Sequence, residues 1–171
     1  MGRLENKHRG GLNNEKGSRY EEFYATYLIA RSLHNLAEHH ILIRSQIEGA
    51  YIDDLLVKTD AQHDYFQLKN VQNVKSTWTE VIEDIVSQIK LSSNNQEQFS
   101  INVVYSDPTF NVTLSEDIAL YTKLEYFPYA GSLLKVIKQY KPFEEVLSDL
   151  CVFEDPTDND LYGLAQYIIG Q

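Results

Sequence analysis

The 171-residue chain has a single cysteine, Cys151, and nowhere a run of about 18 apolar residues. One cysteine cannot close an internal disulfide, and Cys/His spacing of the zinc-site kind is absent, which fits a reducing cytosol. The polar start MGRLENKHRG lacks the apolar stretch of a signal peptide, so the expected location is cytoplasmic with no membrane segment. The Gly-rich NTP loop G-x-x-x-x-G-K-[ST], the dinucleotide fingerprint G-x-G-x-x-G and the hydrolase elbow G-x-S-x-G are all missing. Neither an internal repeat nor a low-complexity linker divides the chain, and its length suits one domain.

Apolar residues make up 43% of the chain, with 12 Tyr and 7 Phe, enough to bury a core. The formal net charge is -10, which on average repels nucleic acid. That charge is unevenly placed. Residues 1–20 carry Arg3, Lys7, Arg9, Lys16 and Arg19 against Glu5 and Glu15, whereas residues 141–171 carry one Lys against seven acidic residues. A polyanion is therefore expected to meet the first of these ends.

Tyr20, Phe23, Tyr24, Tyr27 and Leu28 recur at helical spacing, which predicts a helix from about Ser18 to Glu38 with Ser18 and Glu21 as a capping box. His39-His40 then closes it. "ILIRSQI", "AYIDDLLVKT" and "DYFQLKN" predict three strands of an antiparallel meander, with His63 and Asp64 as turn residues. "TWTEVIEDIVSQIKLSS" predicts a helix with Trp78 on its apolar face and Glu80, Glu83 and Asp84 toward water. "FSINVVYSD" predicts a buried strand, and helical patterns are expected from Pro108 onward, "LSEDIALYTKLEYF" among them. The expected class is α/β (α+β), an αβββαβ core over 1–106 followed by a helical part of the same domain over 107–171.

The polar residues inside the meander carry the chemistry. Asp53 and Asp54 are neighbours on a predicted strand, so only one can look into a given site. Asp54 shares its face with Leu56, Asp53 with Leu55 and Val57; the more apolar face is the expected core side, which favours Asp54 for the site. Gln67 and Lys69 share one face of the next strand. If the strands pair, one Asp, Gln67 and Lys69 converge at the sheet edge; otherwise they are the wet side of an antiparallel sheet.

A helix bearing Glu, a β-meander with Asp on one strand and [E/Q]-x-K on the next, then αβ, resembles the PD-(D/E)xK, or restriction-endonuclease-like, nucleases. Gln67-Leu68-Lys69 resembles the Q-x-K variant of Mrr-type restriction enzymes and of bacterial anti-phage effector nucleases, to which "GGLNNEKGSRYEE" and "YIDDLLV" are also similar. The likeness runs over about residues 10–106. It implies a restriction-endonuclease-like core with a mixed sheet flanked by helices. It also implies a Mg²⁺ or Mn²⁺ ion held by Asp54 or Asp53, the Gln67 amide oxygen and the Leu68 carbonyl. Lys69 would orient the attacking water, and Glu21 would stand at the rim unless it serves its cap. The implied activity is endonucleolytic cleavage of double-stranded DNA in an anti-phage defence or restriction system. Net acidity then calls for self-association or a sensor subunit that supplies basic surface. The alternative is a non-catalytic interaction subunit on the same fold.

Overall fold

The computed structural model describes residues 3–34, 41–70 and 77–170, with side chains from residue 17 onward. The side chains of Arg3, Lys7, His8, Arg9 and Lys16, the expected helix end at 35–38 and His39-His40 lie outside the described residues. Two compact units form, one from residues 1–31 with 129–171 and one from residues 32–128.

In the first unit, α1 (Arg3–His34) begins fifteen residues earlier than its periodicity predicted. Ser18 is therefore an exposed residue in the helix interior, and the capping box with Glu21 does not form. The aromatic stripe is buried as expected: Tyr20, Phe23, Tyr24, Tyr27 and Leu28 are all inside. The Tyr27 ring meets Tyr140 and Phe143 edge-on at 5.2 and 5.5 Å, tying α1 to the start of α5 (Lys141–Leu150). Pro142 sits in the first turn of α5, where its missing N–H costs nothing. Phe143 and Leu147 are fully buried, and α4 (Leu133–Gln139) and α6 (Asp158–Ile169) pack beside them.

The second unit is a five-stranded mixed sheet in sequence order: β1 (Leu42–Ser45), β2 (Leu55–Lys58), β3 (His63–Lys69), β4 (Phe99–Tyr105) and β5 (Thr122–Tyr126). The first three strands are antiparallel, and β3, β4 and β5 are parallel. Parallel neighbours need a crossover, supplied between β3 and β4 by α2 (Trp78–Asn94) and between β4 and β5 by a segment containing α3 (Glu116–Ala119). Val81 and Ile85 of α2 bury against Leu56, Tyr65, Ile101 and Val103 of the sheet, with Ile52 and Ile118 in the same core. Trp78 packs on this cluster and meets Phe110 edge-on, the core role expected of it.

Three local expectations need correction. The stretch expected as one helix over "LSEDIALYTKLEYF" is a single helical turn followed by β5. The parallel ladder from Ile101↔Thr122 to Tyr105↔Tyr126 decides the outcome for its residues Thr-Lys-Leu-Glu-Tyr. His63 and Asp64 open β3 instead of lying in the turn, which is closed earlier by Thr59 N–H donating to the Gln62 carbonyl at 2.9 Å. Asp53 and Asp54 stand just before β2, yet the Ile47 and Gln46 N–H groups donate to their carbonyls and extend the strand pairing to them.

No helix among the described residues is long and apolar enough to cross a membrane.

Candidate functional site

Continuing the register that sets Leu55 opposite Phe66 by one residue places Asp54 opposite Gln67. Alternation then puts Asp54 and Leu56 of one strand on the same face as Tyr65, Gln67 and Lys69 of the next, the face covered by α2. Asp53 points the other way and is exposed, whereas Asp54 is half-buried. The strand geometry thus separates the two neighbours and brings Asp54 to the Gln-Leu-Lys segment.

The contacts are short. Asp54 Oδ2 accepts from Gln67 Nε2 at 2.5 Å and from the Leu68 backbone N–H at 2.6 Å. Gln67 is buried and Lys69 half-buried. A strand residue's N–H and C=O point to one side, so the Leu68 carbonyl looks toward the same edge as its N–H. Asp54 Oδ1 and Gln67 Oε1 accept no hydrogen bond among the described residues.

Burial, first of all, pushes the Asp54 carboxyl above its ordinary pKa; the Leu68 N–H and Lys69 ammonium pull it back, Asp53 adds to burial, and the Gln67 amide opposes it. The folded state therefore holds this proton more tightly than the unfolded chain does. The carboxyl's contribution to stability is full below the ordinary value of 3.8 and is lost as pH rises through the raised one. Asp54→Asn is neutral at every pH, so the metal-free variant is expected to lose less Tm than the wild type between about pH 4 and about pH 7. Parallel thermal melts measure this, and identical slopes would contradict the burial of a charged Asp54.

One member of the site was missed in the sequence. Asp84 of α2, expected to face water beside Glu80 and Glu83, is half-buried while those two are exposed. Burial pushes its carboxyl upward, the Lys69 ammonium opposes this, and Glu80, Asp53 and Glu83 add to it. Lys69 thus acts on both Asp54 and Asp84. The overlooked signal is spacing: Asp84 is three residues after buried Val81 and four before buried Gln88, at the flank of the apolar stripe.

Glu21 lies half-buried on α1, in the other unit, and keeps a polar or electrostatic partner of its own.

The donor set suits a hard divalent cation. Asp54 Oδ1, Gln67 Oε1 and the Leu68 carbonyl are oxygen ligands of the kind Mg²⁺ and Mn²⁺ take, and Mg²⁺ completes its shell with water. Lys69 acts on Asp54 and Asp84 while Asp53 repels both, an excess of negative charge that a dication relieves. Among the described residues no group of three His, Cys, Asp or Glu stands close enough to hold a metal alone, so the amide and backbone oxygens are needed beside Asp54.

No family model, curated protein or solved structure matches the chain.

Proposed function

We propose that the chain is a Mg²⁺- or Mn²⁺-dependent DNA endonuclease with a restriction-endonuclease-like core, hydrolysing phosphodiester bonds at Asp54, Gln67 and Lys69. The observation that carries this is the seating of the Asp54 carboxylate on the Gln67 side-chain amide and the Leu68 N–H, with Lys69 on the same strand face. Asp54 and Gln67, with the Leu68 carbonyl, would hold the ion. Bound there, it supplies Lewis acidity that polarises the scissile phosphate and acidifies a water. Lys69 directs its ammonium to the attacking water and offsets the charge that builds on the phosphate. The Leu68 N–H and Gln67 amide fix Asp54 Oδ2, which leaves Oδ1 as the carboxylate's free face. Gln67 in place of an acidic residue leaves one charge fewer, and Asp84 of α2, on which Lys69 also acts, is a carboxylate able to compensate.

The resemblance of the Q-x-K segment supports a role as effector nuclease of a bacterial anti-phage or restriction system. With a net charge of -10, the chain needs self-association or a partner subunit to present basic surface to double-stranded DNA. One observation favours a second reading, a non-catalytic nuclease-fold scaffold: the described residues hold no three-residue group of metal-binding side chains.

Supercoiled plasmid separates the two. The nuclease reading expects nicking or linearisation in Mg²⁺ or Mn²⁺, alone or with its partner, and none in chelator. A protein inactive in both metals and in every assembly is the scaffold.

A further inference from the structure

We propose that Gln88 of α2 is the positioning residue that turns Asp54, and not Asp53, into the site. This inference rests on the reading of Asp54 as the metal-holding carboxylate. Gln88 is fully buried, on the stripe formed by Val81, Ile85 and Ser92, where an apolar residue would serve for packing alone. A buried amide is costly unless its polar atoms are paired, and this one is paired at both ends. Its Oε1 accepts from the Tyr51 N–H at 2.9 Å and the Ile52 N–H at 3.2 Å, and its Nε2 donates to Ser92 Oγ at 3.0 Å.

Those two N–H groups belong to the connection between β1 and β2. Its ends are tied across the hairpin by the Ile47 and Gln46 N–H groups donating to Asp53 and Asp54, and it turns at Gly49, whose φ is 82°. Gln88 pins its middle to the helix. Once the backbone at 51–52 is held and the Ile52 side chain is buried in the core, alternation points Asp53 outward and Asp54 inward. Ser92 orients the amide so that its oxygen, not its nitrogen, faces the two donors. Gln88 acts through Asp54: its hydrogen bonds go to the connection and to Ser92.

The test compares Gln88→Met, which fills similar space without an acceptor, with Gln88→Glu, which keeps one. The Leu68 amide reports the Asp54 contact directly, because Asp54 Oδ2 is its acceptor. In the Met variant, amide hydrogen exchange is expected to accelerate at Tyr51, Ile52 and Leu68 while Val103 in the sheet centre keeps its protection. Mn²⁺ affinity is expected to fall about 10- to 100-fold, as for other groups that orient a metal ligand. The Glu variant is expected to stay close to wild type in both. A merely structural role would instead speed exchange at Val103 in step with the others. Unchanged Leu68 exchange in a folded Met variant overturns the proposal; should that variant not fold, Ser92→Ala, which releases the other end of the amide, is read by the same criterion. A wild type that binds no Mn²⁺ overturns the metal reading alone, since the Leu68 amide reports on Gln88 without any metal.

Discussion

Lys69→Ala is expected to slow Mg²⁺-dependent nicking of plasmid by about 10²- to 10³-fold, the usual loss when one electrostatic stabiliser is removed from a reacting centre. Mn²⁺ binding in the same variant is expected to be equal or tighter. Lys69 is the cation acting on both Asp54 and Asp84, so its removal leaves those carboxylates without a competitor for a dication. Nicking rates at saturating metal, together with calorimetric Mn²⁺ titration, separate the two effects. Loss of both would make Lys69 a structural residue, and loss of neither would remove it from the chemistry. Lys69→Arg is not a harmless control, because a planar guanidinium does not replace a compact ammonium in orienting one water.

Asp54→Ala is expected to abolish both functions together. Mn²⁺ affinity and cleavage fall by at least about 10²-fold, because the half-buried carboxylate seated on the Gln-Leu-Lys segment is gone. Asp53→Ala is the matched comparison. Asp53 is exposed and points away from this face, so its removal is expected to change cleavage little. The reverse result, with Asp53 essential and Asp54 dispensable, would contradict the assignment of Asp54 to the site. Circular dichroism of both variants guards against misreading, since Asp54→Ala also strips the Leu68 N–H and the buried Gln67 amide of their acceptor.

Why some of this was legible in the sequence and some was not has physical causes. Alternation along "DYFQLKN" places Gln67 and Lys69 on one face from sequence alone, because a strand's side-chain period is two whatever the strand pairs with. The choice between Asp53 and Asp54 needed the pairing register, which is a tertiary fact: the more apolar side, Leu55 and Val57, was the expected core face, whereas Leu56 and Asp54 lie on the face that α2 covers. Asp84 was hidden because acidic residues on an amphipathic helix usually face water, and only its place beside Val81 and Gln88 marks the flank of the buried stripe. Gln88 itself gave no local signal, since its donors lie 36 and 37 residues earlier in the chain. The strand β5, Thr-Lys-Leu-Glu-Tyr, was obscured by the helix-forming composition around it. The early start of α1 was illegible for a different reason. Residues 3–17 are polar and glycine-containing, so neither periodicity nor a cap marks where the helix begins.

The most direct measurement is paramagnetic line broadening of the backbone amide resonances by substoichiometric Mn²⁺. A dication held by Asp54 and Gln67 beside Lys69 broadens Asp54, Gln67, Leu68 and Lys69 first, and the effect disappears in Asp54→Ala. Broadening that instead centres on the acidic residues Glu144, Glu145, Asp155 and Asp158 of the other unit, and survives Asp54→Ala, would contradict the metal site and the nuclease reading with it.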